Sequence, residues 1–201
     1  MIIDQTQFDQ RNMSKLIKGA VVPRPIAWVS SIDKNGIQNL APFSFFTVAS
    51  MDPITFCISI GAGQSLNHEK DTLSNIRETG EFVINMVGEA QANQMYETSK
   101  HFDPEENEFE IASLKTSESK LVSAPRVAGA PVNMECTLDQ VIKVGNSHLV
   151  LGRLVCYHIK DEILMETDKV NPEKLKPVGR MGGDYTFVND FYRLPNDAFN
   201  K

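Results

Sequence analysis

The sequence predicts a mainly β protein, an antiparallel barrel or sandwich with helices packed outside it. Three features of the residue pattern point there. Strand-like runs follow one another in meander order with few helical stretches between them, which does not suit a doubly wound α/β sheet. Asn35-Gly36 is a two-residue hairpin signal between the first two runs. Residues 54–61 and 132–139 alternate apolar with small or polar residues at the period of a strand.

Residues 21–32, VVPRPIAWVSSI, are rich in β-branched residues and end at Asp33-Lys34-Asn35-Gly36. The run from Asn39 to Ser50 is therefore expected to pair back on them. Pro23 and Pro25 bring no N–H to a ladder, which puts the start of the first strand at an edge or outside the sheet. Asp52-Pro53 breaks the second run. The third, Ile54–Gly61, sets Ile54, Phe56, Ile58 and Ile60 on one face and Thr55, Cys57, Ser59 and Gly61 on the other. That second face is small and polar, suited to close approach of another group. A helix is expected from Asp71 or Thr72, both good N-caps, to Gly80, a good C′ residue, with Leu73 and Ile76 as its apolar stripe. Residues 81–87 read as a strand, and 89–100 as a second helix with Ala92, Met95 and Tyr96 inward. The acidic stretch 101–120 reads as a solvated loop. Strands return at 131–142 and 148–159, joined through Gly145-Asn146. In the first of them Val132, Met134, Cys136 and Leu138 alternate with Asn133, Glu135, Thr137 and Asp139. Residues 160–176 read as charged and helical, and the chain closes with a turn at 178–185 and a polar tail.

Composition narrows the function classes. The 201 residues carry 20 Lys and Arg against 26 Asp and Glu, a net charge of −6, with 41% hydrophobic residues. Neither low-complexity disorder nor a membrane span fits, and one domain over residues 1–201 is expected. A pI near 5.3 argues against a nucleic-acid partner but leaves room for a small anionic ligand held by local positive potential. Cys57, Cys136 and Cys156 are odd in number and widely spaced, each in an apolar run, so they are expected as buried thiols in a reducing cytoplasm. The opening MIIDQTQFDQ lacks the basic-then-apolar order of a secretion signal, which agrees with a cytoplasmic location.

Gly61-Ala62-Gly63-Gln64-Ser65-Leu66 follows a strand as a dinucleotide fingerprint does. Leu66 stands at the third glycine position, however, and the helix begins too late. Lys70-Asp71-Thr72 is better placed. A helix tip with free N–H groups, a lysine charge and a hydroxyl suits a phosphate monoester, and the alternative is a solvated lysine beside an ordinary cap. Asn39-Leu40-Ala41-Pro42-Phe43-Ser44-Phe45-Phe46 joins an amide, a hydroxyl and three aromatics on a strand that Pro42 interrupts. That suits a groove for a flat polar heterocycle, or else an irregular edge strand with core aromatics. His148 opens a late strand, Arg24 stands between two prolines, and Arg180, Gly182, Gly183 and Tyr185 form a turn that closes over a ligand or simply ends the fold. No Ser-His-acid triad, paired carboxylates or metal-ligand spacing stands out, so neither a catalytic residue nor a metal site is assigned.

Taken in order, PRPIAWVSS (23–31), NLAPFSFF (39–46), DPITFCISIG (52–61), KDTLSNIRETGEFVINM (70–86), APRVAGAPVNMEC (124–136), GNSHLVLGRL (145–154) and VGRMGGDY (178–185) resemble the flavin reductase-like family over about residues 15–190. These are FMN-binding split barrels related to flavoredoxin and to reductase components of two-component monooxygenases. The resemblance implies a split antiparallel barrel with Greek-key connections, a homodimer, and FMN in a groove near the subunit interface. It matches Asn39 to a flavin contact, Ala41, Pro42, Phe43 and Ser44 to the wall along the ring and ribityl chain, and Thr72, with Lys70 and Asp71, to the phosphate side. His148 matches a histidine in a glycine-bounded turn, and Ser59 and Gly61 lie where the family brings backbone close to the cofactor. Phe45 stands where flavoredoxin-like relatives have tryptophan. Their lysine in the loop after the second helix has no counterpart in 103–110, a role for which Arg24 is the candidate. The activity implied is an NAD(P)H:flavin reductase, with NADH or NADPH as donor and FAD as a possible substrate, passing electrons through reduced flavin to a partner monooxygenase or electron-transfer protein. The alternatives are an electron-transfer flavoprotein reduced by a protein partner and a non-enzymatic FMN-binding protein.

Overall fold

The computed structural model describes residues 2–4, 6, 8–63, 69–166 and 168–192. The run after Pro25 forms β1 (Ala27–Ile32), and the chain returns in β2 (Gln38–Phe43), in register from Ala27↔Phe43 to Ile32↔Gln38. The turn closes because the Asp33 carboxylate accepts the N–H groups of Asn35 (2.8 Å) and Ile37 (2.7 Å), with Gly36 at φ 90°. The stretch from Asn39 to Ser50 is two strands rather than one. A bend at Ser44-Phe45 separates β2 from β3 (Phe46–Met51), where the Phe45 carbonyl takes the N–H of Ser59 (2.8 Å). Strand β3 pairs with β4 (Ile54–Gly61), not with β1.

Helix α2 (Asp71–Thr79) ends on Gly80 at φ 75° and leads into β5 (Glu81–Met86). A 3-10 turn at 89–91, α3 (Ala92–Glu97) and α4 (Glu108–Ile111) follow, then the short pair β6 (Thr116–Ser117) and β7 (Arg126–Val127). The long hairpin of β8 (Val132–Val144) and β9 (Ser147–Ile159), α5 (Pro172–Leu175) and the hairpin of β10 (Val178–Arg180) and β11 (Tyr185–Phe187) complete the chain. An N-terminal helix, α1 (Gln10–Ala20), has no counterpart in the sequence reading; its Asp9 cap accepts the Asn12 N–H.

Seven strands form one antiparallel sheet in the order β2-β1-β5-β8-β9-β4-β3. One core lies within its curl, where Val29, Phe56, Ile58, Ile60, Phe82, Ile84, Cys136 and Val150 meet Leu73 and Ile76 of α2. A second lies on the other face of β1, β2 and β5, where Trp28 and Leu40 pack with Met95 of α3, Phe109 of α4 and Val178 of β10. Strand β1 is therefore buried on both faces.

That second core explains where the pattern misleads. The polar positions of β8 are not all solvent-facing. Asn133 and Glu135 are buried beneath the segment around 117–130, and Asn85 of β5 joins them, accepting from Val127 N–H (2.9 Å) and Asn133 Nδ2 (2.7 Å). The acidic stretch is not wholly solvated, since Glu108 and Phe109 turn inward. Tyr96 is exposed and meets Tyr185 edge-on instead of packing inside. Among the described residues of 160–176 the one α-helix is the four-residue α5, started by Pro172 and the Asn171 cap and ended by Lys176 in the left-handed region. Cys136 alone of the thiols is fully buried, with Cys57 and Cys156 half-buried. Among the described residues no helix is long and apolar enough to cross a membrane.

Candidate functional site

Strand β2 is an edge of the sheet, which is why Pro42 is tolerated within it. The free side of β2 faces the N-terminal tip of α2 and residues 98–104, and a cavity of about 720 Å³ opens between them. Asn39, Ala41, Pro42, Lys70, Asp71 and Thr72 line it together. The tip of α2 carries no side-chain cap. Lys70 is exposed there, its ammonium 5.4 Å from the Phe43 ring centre, and forms no ion pair among the described residues. An uncapped tip with an adjacent lysine is the donor set a phosphate needs.

Behind the wall runs a buried polar chain. The Thr72 hydroxyl donates to Asn39 Oδ1 (2.7 Å), and Asn39 Nδ2 donates to Glu108 Oε1 (2.7 Å). Glu108 Oε2 accepts the Leu40 N–H (2.9 Å), a group that an edge strand leaves without a ladder partner. Asn75 of α2 donates to Ser31 Oγ (3.2 Å), tying the helix to β1. Burial pushes the Glu108 carboxyl up to about 7 against the opposing effect of the Leu40 N–H, and Asp71 and Glu106 add to the rise.

Glu108, Thr98, Lys100, His101 and Phe102 also line the cavity, and none was singled out from the sequence. Thr98 is buried because its hydroxyl accepts Trp28 Nε1–H (2.9 Å). The signal that existed for Glu108 was an apolar neighbour, Phe109, within an otherwise charged stretch.

The other candidates are not in the cavity lining, though the Phe43 ring stands beside Lys70 at its edge. Arg24 is buried, and its guanidinium donates to the carbonyls of Lys18, Val21 and Met181 (2.7, 2.7 and 2.8 Å) and reaches Ser44 Oγ at 3.4 Å. It ties α1 and the turn before β11 to the bend after β2. Phe43 is in the inner core. Ser59 and Gly61 are opposite Leu149 and Ser147 of β9, and His148 is opposite Ile60. These positions are on the β4–β9 pair and are not in the cavity lining, although Ala62 and Gly63, directly after Gly61, line it. Of the Gly61–Leu66 run, Gln64, Ser65 and Leu66 lie outside the described residues.

Residues 19–172 match the model of the flavin reductase like domain. An uncharacterized protein from Aquifex aeolicus is 44% identical over 184 residues, 92% of each chain. The structure is similar to nitrilotriacetate monooxygenase component B from Bacillus cereus (TM-score 0.92, 32% identity, 96% of this chain and 98% of that one). It is also similar to the 2-nitrobenzoate 2-nitroreductase of Pseudomonas fluorescens (TM-score 0.88, 32% identity, 98% and 96%). The seven-stranded antiparallel sheet with outer helices is the split barrel of such flavin reductases.

Proposed function

Because the chain belongs to the flavin reductase-like family, we propose that it is an FMN-binding oxidoreductase reduced by NADH or NADPH, which passes electrons on through reduced flavin. The observation that carries this reading is the cavity between β2 and the uncapped tip of α2. At about 720 Å³ it falls in the range of small-molecule and cofactor sites. Its residues fit the group: N–H donors and Lys70 at one end suit a phosphate, and Asn39, Ala41 and Pro42 offer a flat wall with an amide on it. When bound, FMN supplies the ring that accepts hydride; the chain holds and orients it and excludes water. Glu108 and Thr72 fix the Asn39 amide from behind, so the wall is set before ligand arrives.

The working unit proposed is a homodimer of a single domain over residues 1–201, acting in the cytoplasm. Its support is the outward face of the β4–β9–β8 sheet, where Cys57 is opposite Leu151 and Ile142 opposite Leu149, beside the exposed Val144. In a dimer that face is covered, which would bring Ser59 and Gly61 toward a second chain, while His148, opposite Ile60, is on the other face. Nitrilotriacetate monooxygenase component B is by its name part of a larger oxygenase, and supplying reduced flavin to such a partner is the role proposed here.

Anaerobic mixing of FMN-loaded protein with NADH and with NADPH is the test. Rapid bleaching of the flavin by at least one donor is expected. Bound FMN that neither donor bleaches would replace this reading with that of an electron carrier reduced by another protein.

A further inference from the structure

The structure assigns a metal site away from the flavin cavity: Glu135, Cys156 and His158 form a three-donor centre for a zinc-class divalent cation. Glu135 of β8 and Cys156 of β9 are register partners, and His158, two residues further along β9, returns to the same face. A register shift between Glu135 and Cys136 sets this pairing. One ligand atom from each residue lies within 4.8 Å of the other two.

The geometry is close to what the ion needs. Cys156 Sγ and His158 Nε2 are 3.4 Å apart. Two ligands on a tetrahedral zinc, at about 2.3 Å for sulfur and about 2.0 Å for nitrogen, stand roughly 3.5 Å from each other. His158 Nε2 is also hydrogen-bonded to Glu135 Oε1, and an ion replaces that shared hydrogen with the two atoms parting by under about 1 Å. Glu135 is held from behind in the manner of a supported ligand. Its side chain is fully buried, and it accepts the N–H groups of Lys120 (2.7 Å) and Leu121 (2.6 Å).

The donor set selects the class of ion. Thiolate and imidazole favour zinc and its softer neighbours over magnesium or calcium. Thiolate and carboxylate together cancel a double positive charge, so the loaded centre is neutral where it is half-buried. Binding releases the thiol proton, and the imidazole proton where the ring is charged, with no redox step. His158 also lines a separate cavity of about 440 Å³ with Arg126, Asn133 and Tyr157, which leaves a fourth position open to water or a small ligand. Cys156 and His158 alone are no recognisable motif; the third donor arrives from the neighbouring strand.

The test is titration of the metal-stripped full-length protein with Co²⁺ and then Zn²⁺, without flavin. One equivalent of Co²⁺ is expected to give a thiolate-to-cobalt charge-transfer band that Zn²⁺ displaces. Cys156→Ser should abolish the band and Cys57→Ser should keep it, while His158→Gln lowers Zn²⁺ affinity at least tenfold. FMN binding by Cys156→Ser, unchanged from the parent, verifies that this variant is folded. Absence of a saturable band in the parent protein, or its survival in Cys156→Ser, overturns the site and leaves Glu135–His158 as an ion pair pinning the 117–125 segment.

Discussion

Glu108 grips the edge of the sheet at two adjacent residues: Oε1 takes Asn39 Nδ2 at 2.7 Å and Oε2 takes the Leu40 N–H at 2.9 Å. A carboxylate thereby stands in for the strand that β2 lacks. It also places a titrating group behind the proposed flavin wall, with burial setting its carboxyl at about 7.

The sign of the resulting pH effect follows from linkage. The unfolded chain has an ordinary glutamate near 4.5, so between about 4.5 and about 7 the native state holds a proton that the unfolded state has lost. The Glu108 contribution to stability is complete below that window and is lost as pH rises through it. A phosphate at the α2 tip adds negative charge and raises the carboxyl further, so FMN binding takes up protons near neutrality. FMN affinity is expected to fall a few-fold more steeply than riboflavin affinity as pH rises through 7, and Glu108→Gln should remove the difference. Calorimetric titrations of both ligands at several pH values check this; parallel slopes in the parent protein would defeat it.

Lys70 and Thr72 adjoin each other but are expected to act differently. The Thr72 hydroxyl donates to Asn39 Oδ1, so its proton is committed within the protein. Lys70 is exposed, and its charge is available to ligand. Lys70→Ala is expected to weaken FMN by up to about fivefold, as for an exposed ion pair of at most about 1 kcal/mol, and to leave riboflavin unchanged. Thr72→Ala loosens Asn39 and should weaken both ligands alike. Equal losses for both ligands in Lys70→Ala would place the phosphate elsewhere.

The elements written in local pattern were legible before the structure: the Asn35-Gly36 turn, the alternation of Ile54–Gly61, the stop at Gly80 and the β8–β9 hairpin. What pattern cannot show is which polar residues are covered from a distance. Glu135, Asn133 and Asn85 alternate like solvent-facing residues, yet the 117–130 segment closes over them and supplies their partners. Glu108 was hidden in the same way, since a lone acid among five others looks solvated until Asn39, 69 residues away, is found against it. Ser44 follows the lining residues Ala41 and Pro42, and Gly61 precedes the lining residues Ala62 and Gly63, yet neither lines the cavity, and Ser59 and His148 are on the β4–β9 pair.

Gly152 marks the tightest approach in the inner core. A Cβ built there would stand 2.3 Å from Phe82 Cζ and 2.8 Å from Cε1, and the Phe82 ring is fully buried. The ring has no room to yield, so Gly152→Ala is an overpacking change costing about 1–3 kcal/mol. In a chain of this length that lowers Tm by roughly 3–10 °C. Differential scanning calorimetry reads it directly. An unchanged Tm would mean that Phe82 shifts freely and that the core is looser than its packing indicates.

Trp28 provides a readout of the cavity from within. It is the single tryptophan of the chain, fully buried, and its Nε1–H is bonded to Thr98, which lines the cavity. An isoalloxazine absorbs where indole emits, so a flavin bound there lies well within energy-transfer range. Native emission is expected to be blue-shifted, as for an indole out of water, and to fall in proportion to bound FMN or riboflavin. Trp28→Phe removes the signal and leaves ligand affinity, measured by the flavin's own absorbance, within about threefold, because Thr98 keeps its bond to the Met95 carbonyl (2.9 Å). A protein that retains FMN on ultrafiltration while Trp28 emission stays undiminished would locate the flavin far from the β2–α2 cavity.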